Sequence, residues 1–184
     1  MFFLYEFAFI VYPATWAYFT QERFGWDAGT IGLSLALFGL AIGAVQGGLI
    51  RLVIRALGER ATVIYGLGFN FCAFLAMSQV TEGWMGLVLI PLTALGAVVT
   101  PALQGMMSRS AGDDGQGELQ GVISSVRSVA MILSPLVMTQ VFAAFTTPPL
   151  PYMPGAAFLL SMALMILCGA VFVAGRRTTP HPAE

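Results

Sequence analysis

The chain reads as six continuous apolar runs separated by short polar breaks. The runs cover residues 1–20, 31–53, 61–80, 85–107, 119–145 and 155–175. Each is close to the ~20 residues that an α-helix needs to cross a hydrocarbon core about 30 Å thick at about 1.5 Å per residue. The runs are continuous rather than alternating, and in lipid each segment must satisfy its own backbone hydrogen bonds, so helices are predicted and barrel strands are not. The breaks are Gln21-Glu22-Arg23, Arg55-Ala56-Leu57-Gly58-Glu59-Arg60, Thr81-Glu82-Gly83-Trp84, Ser108 to Glu118 and Thr146 to Pro154. Loops this short make consecutive helices antiparallel neighbours. The expectation is an all-α membrane protein: a six-helix transmembrane bundle over residues 1–175, followed by a cytoplasmic tail at 176–184.

Composition strengthens this picture. Of 184 residues, 58% are hydrophobic and 9% are charged, and the mean hydropathy is +0.84. Soluble domains carry charge on about a quarter of their residues, so the apolar surplus must face membrane lipid. The eight basic residues are all Arg and are balanced by nine acids, which leaves no basic patch for nucleic acid. Arg51, Arg55, Arg60, Arg109, Arg176 and Arg177 flank one side of the predicted bundle, and Arg23 alone marks the other. By the positive-inside rule both termini are cytoplasmic, with Trp16, Trp26 and Trp84 expected near the outer interface. The start Met1-Phe2-Phe3-Leu4-Tyr5-Glu6 has no basic region and no small-residue cleavage site follows, so the first run is expected to be a retained helix.

Chemistry is sparse. Cys72 and Cys168 sit in apolar runs and are expected to be small core residues, without metal or redox spacing. His181 lies in the polar tail. No paired carboxylates, histidine cluster, activated nucleophile or phosphate loop falls at membrane depth, so neither an enzyme, nor a metal site, nor a cofactor is expected. Pro13, Pro91, Pro101 and Pro135 interrupt the spans. Gly39, Gly43, Gly47, Gly96 and Gly105 offer either close helix packing or bends along a path.

Ionisable groups inside a span cost a few kcal/mol, which makes them functional candidates unless they reach an interface. Arg127 lies about two turns inside the fifth run, and reads either as a snorkelling side chain or as a cation lining a cavity. Glu6 lies near the end of the first run, as an interfacial acid or a buried one. Asn70, midway along the third, is expected to hydrogen-bond across helices. Neutral polar groups gather on the second, fourth and fifth runs, with Gln46, Thr93, Thr100, Gln104, Ser124, Ser125, Ser128, Thr139 and Gln140. The sixth has almost none and is expected to face mostly lipid.

Phe2-Phe3, Trp16 and the stretch Arg23-Phe24-Gly25-Trp26-Asp27-Ala28-Gly29-Thr30-Ile31-Gly32-Leu33-Ser34-Leu35 resemble the start of the C-terminal half of the tetracycline/proton antiporters of the major facilitator superfamily. The resemblance continues, in the same order, through Leu57-Gly58-Glu59-Arg60, Gly83-Trp84-Met85, Pro101-Ala102-Leu103-Gln104 and Gln116-Gly117-Glu118-Leu119-Gln120-Gly121, and ends near Ser134-Pro135-Leu136. It implies that the runs are helices seven to twelve of a twelve-helix transporter, one half-bundle of the major facilitator fold, in which two halves rock about a central site. It also implies a small drug-like substrate such as tetracycline, protons as the coupling ion, and a second six-helix half as partner.

Two departures stand out. Gly58, Glu59 and Arg60 resemble the family's cytoplasmic gating loop, but its first glycine and its acid are replaced by Arg51 and Arg55. Asn70 stands where these antiporters carry a membrane carboxylate, and an amide exchanges no proton, so coupling in this half would fall to Glu6, with Arg127 tuning the field. Met1 stands directly at the first run, which is open between an internal start, a truncated frame and a half-size protein that dimerises. A non-transporting membrane scaffold or an inactive transporter remnant is the alternative reading.

Overall fold

The computed structural model describes residues 1–112 and 115–175. The predicted tail, with Arg176, Arg177 and His181, lies outside the described residues. Among the described residues, eight α-helices and one π-helical segment follow one another: α1 (Phe2–Phe9), α2 (Val11–Phe24), α3 (Ala28–Ala44), a π turn (Val45–Leu49), α4 (Ile50–Gln79), α5 (Gly83–Gly96), α6 (Val99–Ala111), α7 (Gln116–Thr146) and α8 (Ala156–Ala174). No strand occurs among the described residues. Among the described residues, four helical stretches are long and apolar enough to cross a membrane: Ala28–Gln79, Gly83–Ala111, Gln116–Thr146 and Ala156–Ala174.

Proline and glycine set the breaks. Pro13 has no N–H to give the Phe9 carbonyl, and the chain departs from regular helix at Ile10, between α1 and α2. Pro101 withholds a donor from Ala97 in the same way, at the turn separating α5 from α6. α2 stops at Gly25, whose φ of 65° lets Gly25 N donate to Gln21 O and Trp26 N to Thr20 O, a paired closure of the last turn. Asp27 then caps α3 by accepting from Thr30 N at 2.8 Å, and hydrogen bonding from the Thr30 side chain, with this backbone bond second, holds its carboxyl below the usual carboxylate range.

Within the predicted polar break at 55–60 the helical path is interrupted at Gly58, which sits at φ 75° and ψ 164°, while the residues on either side of it are helical. That region is open essentially only to glycine. An added Cβ there would meet no neighbour within 4 Å, so Gly58→Ala is expected to cost about 1–3 kcal/mol through backbone strain alone. Thermal unfolding in detergent would show it. Gly68→Ala, equally open but at an ordinary helical position of α4, is expected to be neutral or stabilising.

α4 packs on α8, α5 and α6, while α1 packs on α7 and α8. The core is largely aromatic: Tyr12, Trp16, Phe19, Phe74 and Phe158 interlock, with Phe19 and Phe158 meeting edge-on at 5.0 Å between ring centroids. Trp16 is thus a core residue at 4% exposure, not an interface anchor. Its indole N–H donates to Ser34 Oγ at 2.8 Å, a partner that a buried indole needs. Trp84 is exposed.

Several other expectations change. Cys168 is buried but Cys72 is exposed on the flank of α4. Gly39, Gly43 and Gly47 would accept a Cβ without contact within the described chain, whereas Gly96 would bring one within 2.1 Å of Asn70 and Gly105 within 2.9 Å of Glu59. α8 buries one face, with Phe158, Ser161, Met165 and Cys168, and leaves Ile166, Leu167, Val171 and Val173 exposed. The 31-residue α7 buries only Ile123, Ala130, Ser134 and Met138, because it is packed from one side.

Candidate functional site

Polar groups that are far apart in sequence converge on α1. Glu6 is 7% exposed and takes three hydrogen bonds from two other helices. Arg127 on α7 donates from Nε to Oε2 at 3.0 Å and from Nη2 to Oε1 at 3.3 Å, and Thr100 on α6 donates from Oγ1 to Oε1 at 2.9 Å. A forked guanidinium on a carboxylate is the strongest form of such a pair. It is also asymmetric, because the Arg127 side chain remains 42% exposed while that of Glu6 is 9% exposed. The pair therefore has one end in the core and one at an open face.

The next residue, Tyr5, continues the network on the opposite side. Its hydroxyl donates to the carbonyl of Gly96 at 3.2 Å, and Asn70 Nδ2 donates to the same carbonyl at 3.0 Å and to the Tyr5 oxygen at 3.4 Å. Gly96 ends α5, and the last carbonyls of a helix lack intrahelical partners. Two side chains from α1 and α4 thus brace the break between α5 and α6. Asn70 is fully buried, and its Oδ1 has no hydrogen-bond partner. Further up, Tyr12 and Thr93 share a hydrogen bond of 2.9 Å, and Ser134 donates to the Phe7 carbonyl at 2.6 Å.

The remaining residues singled out in the sequence are scattered. Ser124 and Ser128 lie on α7 beside Arg127, exposed, with Ser128 Oγ donating to the Ser124 carbonyl. Gln104 is half-buried one turn beyond Thr100 on α6, and Gln46 is exposed in the π turn. Gly58, Glu59 and Arg60 form a separate group, in which Glu59 is ion-paired with Arg109 across Gly105. Tyr5 is not among the residues the sequence singles out, and Gly96 is singled out only as a packing or bending position. A tyrosine one residue from a membrane acid was the available signal, since a buried phenol needs a partner.

No three potential metal ligands converge among the described residues. A cavity beside Tyr12, Trp16, Phe38, Met77 and Thr93 measures about 10 Å³, room for about one water. What the arrangement can do is exchange partners. A proton on Glu6, or a charged group arriving at the open face, would release Arg127 from the fork.

A family profile described as Major Facilitator Superfamily matches residues 1–184. Among curated proteins, the chain is 33% identical over 168 residues to a "Tetracycline resistance protein, class C" of Escherichia coli, covering 91% of this chain and 41% of that protein. It is 37% identical to a class E protein of Escherichia coli over 72% of this chain and 33% of that one. It is 33% identical to a class D protein of Salmonella ordonez over 93% and 43%. The chain thus spans about two fifths of the length of such relatives. No solved structure matches it.

Proposed function

Since the chain belongs to the Major Facilitator Superfamily, we propose that it is one half of a membrane transporter that exports a drug-like compound, such as tetracycline, in exchange for protons, with the Glu6–Arg127 pair as its coupling element. The observation that carries this reading is the burial of Glu6 against a half-open Arg127 at the meeting of α1, α6 and α7. It is a titratable group at membrane depth with a partner able to let it go. Asn70 cannot serve, because an amide carries no exchangeable proton in this range. The family is one of transporters rather than enzymes, and the relatives it resembles are tetracycline resistance proteins.

Six spans are part of the proposal. The stretch 28–79 has 52 residues and would reach about 78 Å if straight, more than twice a hydrocarbon core of about 30 Å. The break at Gly58 divides it into two crossings of ordinary length. α1 and α2 together make another, bent at Ile10. The arginine bias then puts both termini on the cytoplasmic side of an inner membrane. α3 and α7 expose Leu33, Leu37 and Leu40, and Met131, Ile132 and Leu136. A second six-helix half, encoded elsewhere or supplied by a second copy, would cover these faces and close a substrate cavity that the small internal void does not provide. Drug accumulation in cells expressing the intact reading frame tests the proposal. Lowered accumulation of tetracycline or a related drug, abolished by a protonophore, is expected; unchanged accumulation across a panel overturns it.

A further inference from the structure

Two openings of different character meet at Arg60. One is a cleft of about 460 Å³ whose wall includes the charged side chains of Glu59, Arg60 and Arg109, with Leu57, Gly58, Met106 and Ser110. The other is a groove of about 270 Å³ between α4 and α8, lined by Ala61, Ile64, Phe172 and Val173, again with Arg60. Glu59, the carboxylate nearest in sequence, is engaged with Arg109. No acid among the described residues pairs with Arg60, which is exposed. The local charge is therefore one unneutralised guanidinium at the mouth of an apolar channel, on the arginine-rich side of the bundle. Ile64 and Val173 are 54% and 51% exposed, so the groove is open along its length.

A solute that fills both openings must be an amphiphile with an anionic head. We propose that this junction binds an acidic glycerophospholipid of the leaflet on the arginine-rich side: its phosphate on Arg60, its headgroup in the cleft beside Ser110, and an acyl chain along Ile64, Phe172 and Val173. Charge complementarity selects the head, since a membrane-surface arginine favours an acidic lipid over a zwitterionic one about fivefold. The groove selects a lipid over a free anion. The inference is independent of whether the chain transports anything.

The test places a reporter in the groove. In the full chain carrying Ile64→Trp, brominated-chain phosphatidylglycerol is expected to quench the added fluorescence at about fivefold lower mole fraction than phosphatidylcholine with the same chains. Trp16, Trp26 and Trp84, toward the other end of the bundle, supply a background measured in the unmodified chain. Adding Arg60→Gln is expected to bring the two lipids together. Equal quenching by both lipids, or a preference that survives Arg60→Gln, overturns the proposal. If Ile64→Trp fails to fold, Val173→Trp reports from the opposite wall.

Discussion

Arg127→Leu is expected to destabilise the protein and, on the proposed function, to abolish proton-driven export, whereas Glu6→Gln is expected to abolish that export with little loss of stability. The difference follows from which charge is left behind. Removing Arg127 strands a carboxylate that is 7% exposed, with Thr100 as its remaining hydrogen-bond donor. Breaking a buried pair in this way costs up to about 3–5 kcal/mol. The 42% exposure of the Arg127 side chain screens the pair and brings the expectation toward the lower end. Removing the charge on Glu6 leaves a guanidinium that can already reach the open face. The double variant Glu6→Gln/Arg127→Leu is then expected to recover most of the stability lost in Arg127→Leu and none of the export. Thermal unfolding in detergent and drug accumulation with and without a protonophore provide the two readouts. Proton-driven export that survives Glu6→Gln would remove Glu6 from coupling, and a double variant as unstable as Arg127→Leu would show that Glu6 is not the stranded charge.

The second large effect is expected at Gly96. A methyl group there would lie 2.1 Å from Asn70 Oδ1, 2.4 Å from Cγ and 2.6 Å from Nδ2, so Gly96→Ala must expel the amide from its place. Overpacking costs about 1–3 kcal/mol, and a buried amide cut off from its carbonyl partner costs about 1–3 kcal/mol more. Asn70→Ala removes the obstructing atoms and leaves Tyr5 to hold the Gly96 carbonyl. Gly96→Ala in the Asn70→Ala background is therefore expected to be nearly neutral. A double-mutant cycle on thermal stability measures this coupling, which for residues in contact is about 0.5–3 kcal/mol. Simple additivity would mean that the two residues do not share a site.

Both predictions rest on pairings that no sequence spacing indicates. Glu6, Asn70 and Arg127 were each legible as polar residues inside apolar runs, because the membrane makes such residues expensive wherever they fall. What each would touch was not legible. Glu6 meets Arg127 across 121 residues and Tyr5 meets Gly96 across 91, and helix periodicity ranks faces within one helix without saying which helices meet. Trp16 shows the same limit in reverse. A tryptophan near the end of a span reads as an interface anchor from composition, but packing against Tyr12 and Phe19 and the bond to Ser34 put it in the core. Glycine was ambiguous for a related reason, since closeness belongs to the partner: Gly96 is crowded by Asn70, while Gly43 faces open space.

The sequence by itself determined the solvent, the secondary structure and the family. With 58% hydrophobic residues in long unbroken runs, lipid must be the environment and helices the conformation, because each backbone bond must close locally. Proline, glycine and the Asp27 cap act on their own neighbours, so the breaks were also local, and the break expected at 55–60 narrows to the single residue Gly58. The tertiary structure alone decided which charges neutralise one another, which helix stands open on α7, and where a cleft walled by charged side chains adjoins an apolar groove. Those are properties of surfaces brought together from distant parts of the chain, set by the packing of side chains that the one-dimensional pattern leaves unpaired.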